Sequence, residues 1–353
     1  MAARGIDKFQ HRLSLIGDLG DNTRIRIRPI LLKSPSKNLR NLLNVRIALS
    51  DFCEIFRTLW RMRPDAILVF YVLDGYPIAI LKHLLRCSVY TVATGGDINL
   101  RQNWTHILLR RMIYSRSDAI IAVSNELRSK ILRESGRKAL LISTGVNTSF
   151  FRRLEDRHSL REKWQLSRGE VVILTVSNLE VHKGVDVTIR ATQVLRDQGF
   201  GNLMLLVVGE GSQRRQLQEL VAELNLKENV LFLGERSRWE LLELYNLARV
   251  FVLASYSEGL PFSLLEAMSC ETPCIASDVG GIAQVIADGH TGFILDSVSP
   301  QELASKLAGA LNLSPQQLAI IGRNARRTVV ESHDMRMIVK QIVHIISSRE
   351  VTQ

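Results

Sequence analysis

The sequence predicts an α/β protein built from two doubly wound, Rossmann-like domains. Three observations carry this. The chain has 353 residues, too many for one ordinary core and suited to two domains of roughly 150 to 180 residues. Short apolar, β-branched runs alternate with longer amphipathic segments, the pattern of parallel sheets covered by helices. The stretch 151–170 (FRRLEDRHSLREKWQLSRGE) is polar and holds no apolar strand, so a domain boundary is expected between residues 150 and 171.

In the first domain, taken as residues 1–160, the strand candidates are 24–32, 66–71, 89–93, 119–123 and 140–142. Amphipathic segments at 45–60 and 104–114 lie between them. In the second domain, residues 161–330, the strand candidates are 171–176, 203–208, 230–232, 250–254, 274–276 and 292–295. Helical periodicity marks 214–224, 238–247 and 300–311. The chain shows no internal repeat and no low-complexity stretch. Doubly wound sheets take ligands at the carboxyl ends of their strands.

Composition narrows the class. At 46% hydrophobic and 23% charged residues, the chain is no disordered tail, collagen or coiled coil. Four scattered cysteines make no disulfide scaffold and fit a reducing compartment. The longest apolar stretch, 66–81, is broken by Asp74, Gly75 and Pro77, short of the roughly 20 residues a membrane span needs. The first residues carry charges and no apolar run, unlike a secretory signal. A cytoplasmic location is expected. Charge is lopsided: residues 1–160 hold 27 Lys and Arg against 13 Asp and Glu, while residues 161–353 hold 19 against 22, so +14 and −3 make up the net +11. The basic half is expected to meet something anionic, such as an acidic membrane leaflet, a phosphorylated lipid or nucleic acid, or to be simply a solvated basic surface. Zinc-finger spacing and RNP-type aromatics are absent, which argues against nucleic acid. The segment 101–116 mixes cationic and apolar residues, as a membrane-surface helix or an ordinary amphipathic core helix would.

The densest chemistry lies in residues 255–295. A polar loop, 255–259, follows the strand 250–254, and Pro261 suits a first helical turn before a helix over 262–269. The N–H groups and positive dipole end of such a helix make an anion site. Glu258 lies before the helix and Glu266 about one turn into it, so the two can flank that site. Carboxylates accepting paired hydrogen bonds suit the vicinal hydroxyls of a ribose or hexose. Ordinary surface acids beside a helix start would give the same pattern. Cys270 and Cys274 have no partners that would complete a zinc site.

Glu258-x7-Glu266, with Gly259-Leu260-Pro261 between, resembles the signature of the large retaining glycosyltransferase family called group 1 or family 4, which has the GT-B fold. Other pieces agree in order and spacing over residues 65–345. They are Asp278-Val279-Gly280-Gly281-Ile282, Asp288-Gly289-x-Thr291-Gly292, Val207-Val208-Gly209-Glu210-Gly211, and Val176-Ser177-Asn178-Leu179 followed by His182-Lys183-Gly184. In the first half they are the run Ser117 to Ser124 and Gly145-Val146-Asn147. The resemblance implies transfer of a sugar from a nucleoside-diphosphate sugar, bound by the second domain, to a hydroxyl acceptor bound by the first. The acceptor classes it implies are glycans, glycolipids and lipid-linked saccharides, with retention of anomeric configuration. It implies that Glu266 holds the ribose hydroxyls and that Glu258, with the backbone amides of Gly259, Leu260, Pro261 and Phe262, holds the sugar. Pro261 supplies no N–H to that set. Lys183 would face the diphosphate, Asn178 and Gly209 would line the donor loops, and Gly95, Gly96 and Asp97 would stand on the acceptor side. No metal or other cofactor is implied. A terminal helix within residues 331–353 would return toward the first domain.

The sequence departs from the family at three named positions. Asn178 stands where an Arg is usual and lacks its charge and fork. Thr94 stands where a His is common and cannot become a cation. Gln284 stands where Glu is common. The chain also opens with what resembles the loop and helix after a first strand, so that strand is expected to be missing or divergent. These departures leave room for a rival, a degenerate binding or scaffold protein on the same fold. A nucleotide-sugar epimerase is a weaker one.

Overall fold

A computed structural model describes residues 45–70, 72–95, 98, 104–167 and 169–348. The strand expected at 24–32 and the question of the first strand lie outside them. The chain divides into two compact units, one holding the residues up to Ile142 together with those from Arg336 on, the other running Ser143–Met335.

The first unit contains α1 (Val45–Met62), β1 (Ala66–Phe70), α2 (Tyr76–Leu85), β2 (Ser88–Ala93), α3 (Trp104–Arg116), β3 (Ala119–Ala122), α4 (Asn125–Ser135) and β4 (Leu140–Leu141). Its sheet is parallel in the order β1-β2-β3-β4. Tyr90, Ile113, Tyr114, Ile120, Ile121 and Leu127 fill its core. The run Ser117 to Ser124 does structural work here. Asp118 accepts from Val89 N at 2.7 Å and from Lys82 at 2.8 Å, and Ser124 caps α4 by accepting from Leu127 N. α3 is a core helix on one side, with Ile113 and Tyr114 buried. Arg110 is fully buried and gives two hydrogen bonds to Glu134, at 2.8 and 3.0 Å. That guanidinium is therefore withdrawn from the cationic face expected of this segment, whose outward side carries Trp104, Leu108 and Arg111.

The second unit contains α5 (Arg157–Lys163), β5 (Val171–Val176), α6 (Val185–Asp197), β6 (Leu203–Val208), α7 (Arg214–Glu223), β7 (Val230–Gly234), α8 (Arg238–Leu247), β8 (Val250–Leu253), α9 (Phe262–Ser269), β9 (Cys274–Ser277), β10 (Phe293–Leu295), α10 (Pro300–Asn312) and α11 (Pro315–Ser332). All six strands are parallel, in the order β10-β9-β8-β5-β6-β7. Alternation along the strands sends side chains to both faces. Leu174, Leu206, Phe251 and Leu253 join residues of α8, α9 and α11 in one cluster. Ile173, Leu205, Val207 and Val252 join residues of α6, α7 and α10 in the other. The strand order reverses between β5 and β8, the switch point at which such sheets take ligands.

The boundary expected between residues 150 and 171 falls earlier, after Ile142. The cause is packing: Phe151 is buried among the second unit's core residues, and its carbonyl accepts from Ser269 Oγ at 2.7 Å and from Arg326 at 3.2 Å. The stretch taken as a polar linker holds α5, capped by Asp156 and anchored by Leu160. The second unit closes with Val146 N donating to His333 O and Met335 N donating to Val146 O, both at 2.9 Å. It therefore extends past residue 330. Helix α12 (Met335–Ser348) places Ile338 and Ile345 in the first unit's core cluster.

Candidate functional site

Four loops of the second unit open at the carboxyl ends of their strands: 177–184 after β5, 209–213 after β6, 254–261 after β8 and 278–281 after β9. They are held together by close backbone approach. Gly184 sits at φ +59°, and a Cβ there would lie 1.9 Å from the Ala254 carbonyl oxygen. Gly280 sits at φ +65°, and a Cβ there would lie 2.4 Å from the Glu258 carbonyl oxygen. Glycine alone fits both demands. Gly209 N donates to Gly234 O at 2.9 Å, while Leu179 N donates to Glu210 O at 3.0 Å. The second bond joins the loops after β5 and β6, and the first ties the end of β6 to the end of β7.

Lys183 and Glu258 are brought into direct contact. Lys183 Nζ donates to both carboxylate oxygens of Glu258, at 2.7 and 2.8 Å. The side chains are 16% and 7% exposed. Glu258 Oε1 also accepts from Ser255 Oγ at 2.7 Å, and Ser277 Oγ in turn donates to the Ser255 carbonyl at 2.6 Å. Ser255 and Ser277 are buried. Two cooperating hydroxyls from the ends of β8 and β9 thus fix the position of Glu258. The family resemblance implies that Lys183 and Glu258 serve different parts of a ligand; in the ligand-free structure they pair with each other.

Glu266, on α9, takes a different partner. Its Oε2 accepts from Tyr245 OH on α8 at 2.9 Å. Tyr245 is wholly buried, and burial together with the Glu266 charge holds its phenol well above the usual value. The hydroxyl therefore stays protonated and donates. Pro261 is the N-cap of α9 rather than its first helical residue, and no side chain caps that end. Gly259 and Leu260 are buried behind it, and Phe262 opens the helix half-buried. Asn178 is exposed. Burial, then the neighbouring Lys183 charge, holds His182 below its ordinary range, so the imidazole is neutral at pH 7.

On the expected acceptor side, Gly95 lies at φ +108° and its carbonyl accepts from Ile98 N at 3.1 Å. Gly96 and Asp97 lie outside the described residues. Thr94 Oγ1 is buried with no hydrogen-bond partner among the described residues. Among those residues no three His, Cys, Asp or Glu side chains form a group that could hold a metal ion, and no helix is long and apolar enough to cross a membrane.

Sequence reasoning missed Ser255, Ser277 and Tyr245. The serines stand at strand ends, where a lone polar residue in an apolar run is the one available signal. Tyr245 reads as one more apolar position of its helix.

Comparison with known proteins assigns the class. The chain matches the family of group 1 glycosyl transferases over residues 156–349, more than half its length, and it belongs to that family. It is 30% identical over 264 residues to the D-inositol 3-phosphate glycosyltransferase of Streptomyces avermitilis, covering 72% of this chain and 56% of the relative. The chain spans between about half and two thirds of the length of the curated relatives it matches first. Among solved structures, sucrose-phosphate synthase from Thermosynechococcus elongatus matches with a TM-score of 0.81 at 22% identity, covering 97% of this chain and 92% of that one. The Anabaena HepE protein, solved with UDP and glucose, matches with a TM-score of 0.76 at 21% identity, covering 85% and 81%. These likenesses show the fold: two Rossmann-like units of the GT-B class.

Proposed function

We propose that the protein moves a sugar from a nucleoside-diphosphate sugar to a hydroxyl acceptor, with retention of anomeric configuration, in the manner of family 4 enzymes. One observation carries the reading: Lys183, Glu258 and the open start of α9 gather at the carboxyl end of the switch point between β5 and β8. The relative solved with UDP and glucose has the same fold, which supports a nucleotide-sugar donor.

In this reading Glu266 holds the ribose hydroxyls and Glu258, with the backbone of Gly259 to Phe262, holds the hydroxyls of the sugar. As the glycosidic bond breaks, the departing diphosphate gains negative charge. Lys183 and the N–H groups of α9 are aimed where that charge develops and stabilise it. Lys183 starts bound to Glu258, so it exchanges a carboxylate for a phosphate as the donor arrives. With a lysine and a helix end serving the leaving group, no metal ion is invoked. Asn178, lacking charge, adds at most neutral hydrogen bonds.

The acceptor is assigned to the first unit, through the segment of Gly95, Gly96 and Asp97, and is a glycan, glycolipid or lipid-linked saccharide. The basic first half favours an anionic acceptor or peripheral contact with the inner face of an acidic membrane. A relative named for D-inositol 3-phosphate supports the first option. The test is calorimetric titration with UDP, GDP and ADP on the protein and on Glu266→Ala. Saturable binding of one nucleotide, weakened by the substitution, is expected. No binding of any of the three to folded protein would overturn the reading.

A further inference from the structure

Tyr245 is an expensive residue to place where it stands. Its ring is wholly buried, edge-on to Phe151 at 5.9 Å and to Phe251 at 5.8 Å. Its carbonyl accepts from Thr272 Oγ1 at 2.7 Å, which ties this turn of α8 to the segment after α9. A buried phenol must find an acceptor, and it reaches the half-buried carboxylate of Glu266 at 2.9 Å. Phenylalanine would fill the same space without that demand.

We infer that Tyr245 is a positioning residue for donor recognition: its hydroxyl fixes the Glu266 carboxylate in the plane that receives the two vicinal hydroxyls of the nucleotide's ribose. The inference rests on the assignment of Glu266 to the ribose. The last torsion of a glutamate has a broad freedom, while a ribose diol asks for both carboxylate oxygens in one plane. A donor held by two flanking rings removes that freedom before the ligand arrives, and preorganised groups of this kind lose little on binding. The phenol remains a donor because burial and the adjacent carboxylate oppose its ionisation. If the hydrogen bond served only to satisfy a buried hydroxyl, removing the hydroxyl would leave ribose recognition untouched.

The experiment compares the nucleotide diphosphate that binds, among UDP, GDP and ADP, with its 2′,3′-dideoxy counterpart. Both are titrated into the wild type, Tyr245→Phe and Glu266→Ala, with thermal unfolding to verify the fold of each. The ratio of the two affinities is the readout, because a change in the fold alone weakens both ligands alike. Tyr245→Phe is expected to shrink the preference for the ribose form roughly tenfold and to leave the dideoxy affinity unchanged. Glu266→Ala is expected to abolish the preference. A wild-type ratio in Tyr245→Phe, or equal weakening of both ligands, overturns the role of Tyr245 while leaving the ribose assignment standing. A wild-type ratio in Glu266→Ala overturns the ribose assignment and this inference with it, as does failure of all three nucleotides to bind folded wild type.

Discussion

Replacing Glu258 by Gln should make the protein bind a free nucleoside diphosphate more tightly while it turns over less. In the structure Lys183 gives hydrogen bonds to both Glu258 oxygens, at 2.7 and 2.8 Å, with side chains 16% and 7% exposed. Removing one partner of a fully buried ion pair costs about 3–5 kcal/mol. This pair keeps some solvent on the lysine side, so we expect a loss of about 2 kcal/mol in the ligand-free protein. The lysine is then held less firmly and the site carries one negative charge fewer. A diphosphate recovers part of that loss, and binding should tighten by roughly tenfold, or about 1.4 kcal/mol. Transfer from the nucleotide sugar should fall by roughly a hundredfold or more, because the sugar loses its carboxylate. Thermal unfolding without nucleotide reads the loss of stability, calorimetry with UDP, GDP and ADP reads the tighter binding, and donor turnover reads the fall in transfer. Weaker or unchanged nucleotide binding in folded Glu258→Gln would refute the idea that Lys183 changes partners.

Two further outcomes test other parts of the account. Gly184→Ala places a Cβ at a positive φ, 1.9 Å from the Ala254 carbonyl oxygen, so we expect more than about 2 kcal/mol of destabilisation by thermal or denaturant unfolding; an unchanged midpoint would contradict the close approach of the two loops. His333 is buried with Nδ1 2.9 Å from Ser143 Oγ, and burial holds it below its ordinary range. The unfolded chain therefore takes up this proton first, so stability should be lost as pH falls below about 6.5, by at most about 1.4 kcal/mol per pH unit. His333→Gln should flatten that slope, and an identical slope would show that His333 does not contribute to it.

The parts of this protein that could be read from its sequence are those where one local pattern decides the answer. β5, β6 and α9 run over the residues expected of them, because an unbroken β-branched run or an apolar stripe after a proline leaves few alternatives. α5 escaped notice because it buries a single residue, Leu160, too little to give periodicity. The early boundary escaped for a related reason: Phe150 and Phe151 are two apolar residues in a polar run, and only folding shows that Tyr245 and Arg326 hold the second of them. Family resemblance points to Glu258, Glu266 and Lys183, yet the contacts these residues make were not legible. Lys183 and Glu258 are 75 positions apart, and Tyr245 meets Glu266 from a different helix. Spacing along the chain reports neither pairing.

The most direct test of the central claim is a crystal structure with the nucleoside diphosphate that binds. The account expects the diphosphate at the start of α9 with Lys183 Nζ turned from Glu258 to a phosphate oxygen, and the ribose hydroxyls on Glu266. A nucleotide bound away from Lys183 and Glu266, with their present partners kept, would contradict it.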